Sequence, residues 1–116
     1  MLTENDFIFH EAFPDWGHTF HIMERSGLGF GRAYIYNNDP TTIYLDMLAV
    51  DPCARGDKIG TKLQELREQI GINLGCFSSV LWVDKDTWMY EWYKRRGYLY
   101  EIDKNKKQVW MKKSLL

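Results

Sequence analysis

The residues with the clearest chemistry lie in one stretch, LAVDPCARGDKIGTKL at positions 48–63. A β-prone run ends at Val50, Pro52 stops it, and a short loop feeds directly into helical periodicity. A loop at a helix start presents unpaired backbone N–H groups and the positive end of the helix dipole, which together bind phosphate-like anions. Gly56 and Gly60 let the backbone come close to a ligand, and Arg55, Lys58 and Lys62 add positive charge around the same turn. The pattern fits a pyrophosphate site; a plain strand-to-helix connection with charges at the helix start is the alternative. Cys53 sits in the same loop, but no His neighbours it in sequence, so it is not read as a nucleophile.

The elements that must position this loop follow from the hydrophobic pattern. Residues 18–24 (HTFHIME) and 32–36 (RAYIY) read as strands, with the glycine-rich 27–31 between them as a turn or bulge. Asn37-Asn-Asp-Pro40 is a turn signal, and 41–50 (TTIYLDMLAV) is a third strand of an antiparallel meander. Ile59, Leu63, Leu66 and Ile70 then recur on one helical face, with Gly71 or Gly75 ending the helix. Residues 79–83 (SVLWV) form a short apolar strand suited to the middle of a sheet. Asp86 or Thr87 caps a second helix running to about Arg96, and 98–102 with 108–112 close the chain as a hairpin. A strand–helix–strand crossover from Val50 to Val83 implies a central parallel pair. The expected class is a mixed α/β (α+β) sheet: N-terminal meander, parallel pair joined by a helix, C-terminal hairpin.

Composition limits the alternatives. At 116 residues the chain suits one domain; 45% hydrophobic and 27% charged residues describe an ordinary globular protein. No apolar run is long enough to span a bilayer, and acids stand where a signal peptide has its basic start, so no membrane role and a reducing, cytoplasmic setting are expected. Two cysteines and the histidines His10, His18 and His21 complete no metal set. The net charge of −1 hides an asymmetry: residues 1–90 hold seven Lys and Arg against thirteen Asp and Glu, and residues 91–116 hold eight against three. A basic face of this kind is ordinarily solvated, and no nucleic-acid recognition motif accompanies it.

AVDPCARGDKIGTKL resembles motif A of the GCN5-related N-acetyltransferase (GNAT) superfamily, Arg/Gln-x-x-Gly-x-Gly/Ala after a strand ending in Val-x-Pro. DTWMYEWYKRRGY at 86–98 resembles the second hallmark, Asn-x-x-Ala-x-x-Phe-Tyr-x-x-x-Gly-Phe, one strand downstream. Together they cover about half of the chain. Arg55 takes the first motif position and Gly60 the last, while Lys58 stands where the middle Gly is usual; a positive φ there would strain Lys. Asp86 replaces Asn, Met89 replaces Ala, and Trp92-Tyr93 replace Phe-Tyr.

The resemblance implies acetyl-CoA as donor. Its pyrophosphate would rest on the backbone of Arg55, Gly56, Asp57, Lys58, Ile59, Gly60 and Thr61. Its pantetheine would pair with the strand edge at Leu48, Ala49 and Val50, where the parallel strands splay. Acetyl transfer needs a neutral amine, a donor for the oxyanion and an acid for the leaving thiolate. A backbone N–H at the end of the strand supplies the second, and Tyr93 matches the family's acid. Asp46, the only acid within residues 41–50 apart from the strand's borders, is a candidate base; alternation places it on one face with Tyr44, Leu48 and Val50. Glu24 and a water chain are the other options for the base.

GNAT relatives usually place a strand and two helices before the meander, and FIFHEAFPDWG at 7–17 supplies only a short strand or arm. An open groove is expected, suited to a protein or other macromolecular amine acceptor, or completed by a second copy of the chain in a homodimer. Two other readings compete with an N-acetyltransferase: a GNAT-like binding module without catalysis, and a nucleic-acid binder using the basic C-terminal quarter.

Overall fold

The computed structural model describes residues 2–56 and 58–116. Seven strands form one sheet: β1 (Phe7–Ala12), β2 (Gly17–Glu24), β3 (Gly29–Tyr36), β4 (Asp39–Val50), β5 (Ser78–Asp84), β6 (Leu99–Asp103) and β7 (Gln108–Ser114). Helix α1 (Ile59–Asn73) joins β4 to β5, and α2 (Trp88–Arg95) joins β5 to β6. The spatial order is β1-β2-β3-β4-β5-β7-β6. β4 and β5 are parallel, as the crossover requires, and every other neighbouring pair is antiparallel.

The sheet extends the sequence reading at several points. β1 pairs along its whole length with β2, from Phe7 opposite Glu24 to Ala12 opposite Thr19, so residues 13–16 make a tight connection with no room for a helix. The glycine-rich stretch is not a turn throughout: Gly29 and Gly31 lie inside β3. A Cβ on Gly29 would come 2.4 Å from Ile59 Cγ2, and one on Gly31 would touch Arg67 Cδ at 3.4 Å. These glycines therefore bring α1 down onto the sheet, a frequent reason for glycine within a strand. The expected four-residue turn is only Asn37–Asn38, since Tyr36 pairs with Asp39. Pro40 sits in a stretch of β4 where the ladder to β3 is irregular, because proline has no N–H to donate. Gly75, at φ 85°, follows the end of α1, while Gly71 stays inside it against Ile43.

Both helices lie on the same side of the sheet. Ile59, Leu63 and Leu66 of α1 pack on Phe7 and Ile22; Tyr93 and Tyr98 join Ile43, Leu45, Leu81, Val109 and Met111 in a second cluster. Burying a side chain of this size contributes about 1.5–3 kcal/mol. The opposite face carries no helix among the described residues. It exposes a belt of rings, with Trp16, Tyr34, Tyr36 and Tyr44 in mutual contact at 5.1–5.8 Å between centroids.

Two phenols in this belt make stability sensitive to alkali. Partial burial pushes both Tyr34 and Tyr44 up to about 12; neighbouring Tyr36 adds for Tyr34, and the hydrogen bond to Asp39 at 2.9 Å adds for Tyr44. The unfolded chain ionises these groups near pH 10, whereas the folded chain holds their protons to about pH 12. Their contribution is complete below pH 10 and is lost as pH rises towards 12. The melting temperature is expected to fall across that window, and Tyr44→Phe should flatten the fall in melts followed from pH 9 to 12.

Candidate active site

The site begins where two parallel strands part. β4 pairs with β5 only at Thr42, Ile43 and Tyr44, opposite Ser78, Ser79 and Val80. β5 then follows β7 to its end, and the rest of β4 leaves it. A bulge bends β4 at this point: Phe30 opposes Ala49 while Arg32 opposes Asp46, and Met47 between them has φ 52°. The bulge reverses the alternation of side chains. Leu48 and Val50 point to the helix side, packing with Ile59, Leu63 and Leu66, whereas Asp46 stays on the ring-bearing face with Tyr44. The expectation that Asp46 shares a face with Leu48 and Val50 is therefore corrected, because unbroken alternation was assumed.

β4 delivers the chain into a folded turn. Hydrogen bonds from the Cys53 side chain and from its N–H, the latter at 3.0 Å, hold the Asp51 carboxyl below its ordinary range, and Pro52–Ala54 form a 3₁₀ turn with Ala54 buried. The Arg55 and Gly56 amides already donate to the Pro52 and Ala54 carbonyls. Only the later part of the predicted 55–61 segment can therefore offer open amides. Asp57 lies outside the described residues. Lys58 is the N-cap of α1, in the left-handed region (φ 63°, ψ 20°), and among the described residues no side chain caps the helix there. The first-turn amides behind it are thus available to an external anion.

Lys58 adopts the strained conformation foreseen from the motif. An L-residue in this region costs roughly 1–2 kcal/mol that glycine avoids. Lys58→Gly is expected to stabilise the fold by about 1 kcal/mol, partly offset by the added freedom of the unfolded chain, as measured by urea unfolding.

A groove of about 460 Å³ runs from the splay to this turn. Leu48, Ala49 and Val50 form one wall, and Arg55, Gly56, Lys58, Ile59, Gly60 and Thr61 form the floor and mouth. The structure thus gathers all the described residues of the predicted donor site. It also adds Ala54 and three residues of α2, Trp88, Met89 and Trp92. The i, i+4 spacing of the two tryptophans marked a helical face, but not that the face borders the groove. The Arg96 guanidinium lies 3.6 Å from the Trp92 ring centroid and donates to Thr61 Oγ1 at 3.0 Å, so it ties the end of α2 to the start of α1. Arg55 lies over Trp88 at 5.7 Å.

The two predicted catalytic residues lie elsewhere. Tyr93 is only 5% exposed and is not among the residues that line the groove; its oxygen accepts from Arg67 Nη2 at 3.2 Å, and the same guanidinium donates to the Asp46 carbonyl beside the bulge. The Asp46 carboxylate is gripped by Arg32 through two hydrogen bonds, Nε to Oδ1 at 2.8 Å and Nη2 to Oδ2. Glu24, the last residue of β2, is buried and accepts from the Ser26 and Leu28 amides of the turn that follows.

Arg67 is the main residue that sequence reasoning passed over. It is fully buried, although its place four residues after Leu63 and three before Ile70 put a charge on the apolar stripe of α1. Beside it, Gln64 and Glu68 of α1 meet the Tyr98 hydroxyl at 2.9 and 3.0 Å, Ser79 Oγ lies 2.6 Å from the same oxygen, and Lys113 donates to Glu68 at 2.8 Å. Burial and the Glu68 charge push the Tyr98 phenol well up.

The sequence model described as the Acetyltransferase (GNAT) family matches residues 2–98. No curated protein matches the chain. Among solved structures, a GNAT family acetyltransferase from Elizabethkingia anophelis with acetyl-CoA bound is similar at TM-score 0.72 and 12% identity, over 95% of this chain and 99% of that one. An acetyltransferase from Bacillus cereus is similar at TM-score 0.67 and 22% identity, over 98% and 80%. The PaiA N-acetyltransferase from Thermoplasma acidophilum in complex with coenzyme A is similar at TM-score 0.69 and 23% identity, over 83% and 59%. With the splayed parallel pair, the helix-start groove and a family match across most of its length, the chain belongs to the GNAT acetyltransferase family and is an acyl-CoA-dependent N-acyltransferase.

Proposed function

We propose that the protein moves an acetyl group from acetyl-CoA directly to a primary amine. The observation that carries this reading is the continuity of the groove, from the uncapped α1 start to the unpaired edge of β4. A diphosphate fits the first-turn amides of α1, with Lys58 and Arg55 at the mouth. An amide-bearing arm fits the β4 edge at Leu48–Val50, because an unpaired edge offers N–H and C=O groups in an extended row. The similar structures from Elizabethkingia anophelis and Thermoplasma acidophilum hold acetyl-CoA and coenzyme A, which supports this class of donor.

In the step itself, the amine nitrogen forms a bond to the thioester carbonyl carbon and the carbon–sulfur bond breaks. A main-chain N–H at the β4 bulge supports the carbonyl oxygen as charge builds on it. The Tyr93 hydroxyl, held beside the β4 bulge by the same Arg67 guanidinium that binds the Asp46 carbonyl, gives its proton to the leaving sulfur at the splay, and the amine loses its proton to water. The amine arrives from the ring-bearing face, where the short β1–β2 connection leaves the sheet uncovered and space for a large acceptor, a lysyl side chain of a protein included. We place this chemistry in the cytoplasm.

The discriminating observation is binding. Acetyl-CoA at about a hundred times its Kd is expected to add roughly 2.7 kcal/mol to stability, read as a higher melting temperature. Thiol release from acetyl-CoA should then follow addition of lysyl peptides or a polyamine. A melting temperature unmoved by millimolar acetyl-CoA would favour a binding module that keeps the fold without the reaction.

A further inference from the structure

Arg67 is a buried cation with no carboxylate partner. Its relative exposure is 0%, and none of the ion pairs among the described residues involves it. Glu68 is engaged by Lys113 and Tyr98, and Asp46 by Arg32. Burying an isolated charge is costly unless hydrogen bonds compensate it. Its contacts are specific. Nη1 donates to the main-chain carbonyls of Arg32 at 3.3 Å and Asp46 at 3.2 Å, the two residues that pair beside the β4 bulge. Nη2 donates to Gln64 Oε1 and to the Tyr93 hydroxyl oxygen, and Nε has no partner among the described residues.

We infer that Arg67 is a positioning residue that acts through Tyr93 and through the bulge; the inference rests on the reaction proposed above. The guanidinium fills the acceptor role of the Tyr93 oxygen, so the phenolic hydrogen is turned away from Arg67. When that proton passes to the leaving thiolate, negative charge moves onto the phenolic oxygen. Arg67 already touches that atom, and the contact strengthens from a hydrogen bond to a neutral oxygen into one between opposite charges, in a site screened from water. The same side chain collects the two carbonyls flanking the bulge and so fixes where β4 parts from β5. It thereby couples the geometry of the thioester site to the orientation of its acid.

The test is a double-mutant cycle on Arg67→Gln and Tyr93→Phe, with thiol release from acetyl-CoA in the presence of an accepted amine as the rate and calorimetric binding of CoA as the affinity. Arg67→Gln in the wild-type background is expected to lower kcat roughly tenfold to a hundredfold, the range for a lost charge-assisted hydrogen bond, with CoA affinity changed less than threefold. In the Tyr93→Phe background the same substitution should lower kcat less than threefold, because the group it serves is gone. Arg67→Lys should recover part of the rate. Should Arg67→Gln not fold, citrulline introduced at position 67 keeps the shape while removing the charge, and the same comparison is made with it. An equal loss in both backgrounds, or unchanged kcat in the wild-type background, overturns the inference while leaving acetyl transfer intact. An absence of transfer by the wild-type protein removes the parent reading and this one with it.

Discussion

Tyr93→Phe is expected to lower kcat by about two orders of magnitude, the lower part of the range for removing a general acid, with CoA binding within threefold of wild type. The substitution takes away one oxygen and leaves the ring, whose edge-on contacts with Trp92 and Tyr98 hold it in the core. Its cost in stability is modest, because the Arg67 contact is one of several that this guanidinium makes. A loss in kcat with little change in affinity marks an interaction made only as the bond to sulfur breaks. Leaving thiols more acidic than CoA need less help, so an acetyl thioester of a more acidic thiol should narrow the gap between Tyr93→Phe and wild type. An unchanged kcat would take Tyr93 out of the reaction and leave it as packing.

Gly60→Leu is expected to raise the Kd for CoA at least a hundredfold, equivalent to about 2.7 kcal/mol. A Cβ at position 60 would stand 3.4 Å from Val50 Cγ2 and 3.8 Å from Trp92 Cζ2, an ordinary contact that the fold accepts. The remaining carbons would have to extend into the groove between those two walls. Helix propensity also favours leucine over glycine by up to about 1 kcal/mol, so the ligand-free protein should melt no lower than wild type. The acetyl-CoA thermal shift should disappear. Retention of that shift would place the donor somewhere other than this groove.

The fold was legible in the sequence where periodicity and punctuation agree. The apolar stripe at Ile59, Leu63, Leu66 and Ile70 and the breaks at Pro52, Gly75 and Gly97 sufficed to order the elements around one crossover. The motif resemblance located the groove, and every described residue named for the donor lines it. What escaped detection depends on tertiary packing. The bulge at Met47 rests on a non-glycine residue with positive φ, which leaves no mark in an alternating β pattern, and it moved Leu48 and Val50 to the other face from Asp46. Arg67 falls on the apolar stripe of α1, but nothing local announces that two strand carbonyls and a phenol await it. The α2 tryptophans read as one helical face, but which face meets the groove depends on how Arg96 docks on Thr61 across the chain.

The glycines beneath α1 have a consequence for how a ligand would be received. Gly29, Gly31 and Gly71 let the helix settle close against Ile43 and the middle strands, with Gly29 directly under Ile59 of its first turn. A receptor built this way does not wait for its guest to shape it. If these amides receive the diphosphate as proposed, capture of acetyl-CoA should proceed by simple encounter, in a single kinetic phase without a slow rearrangement.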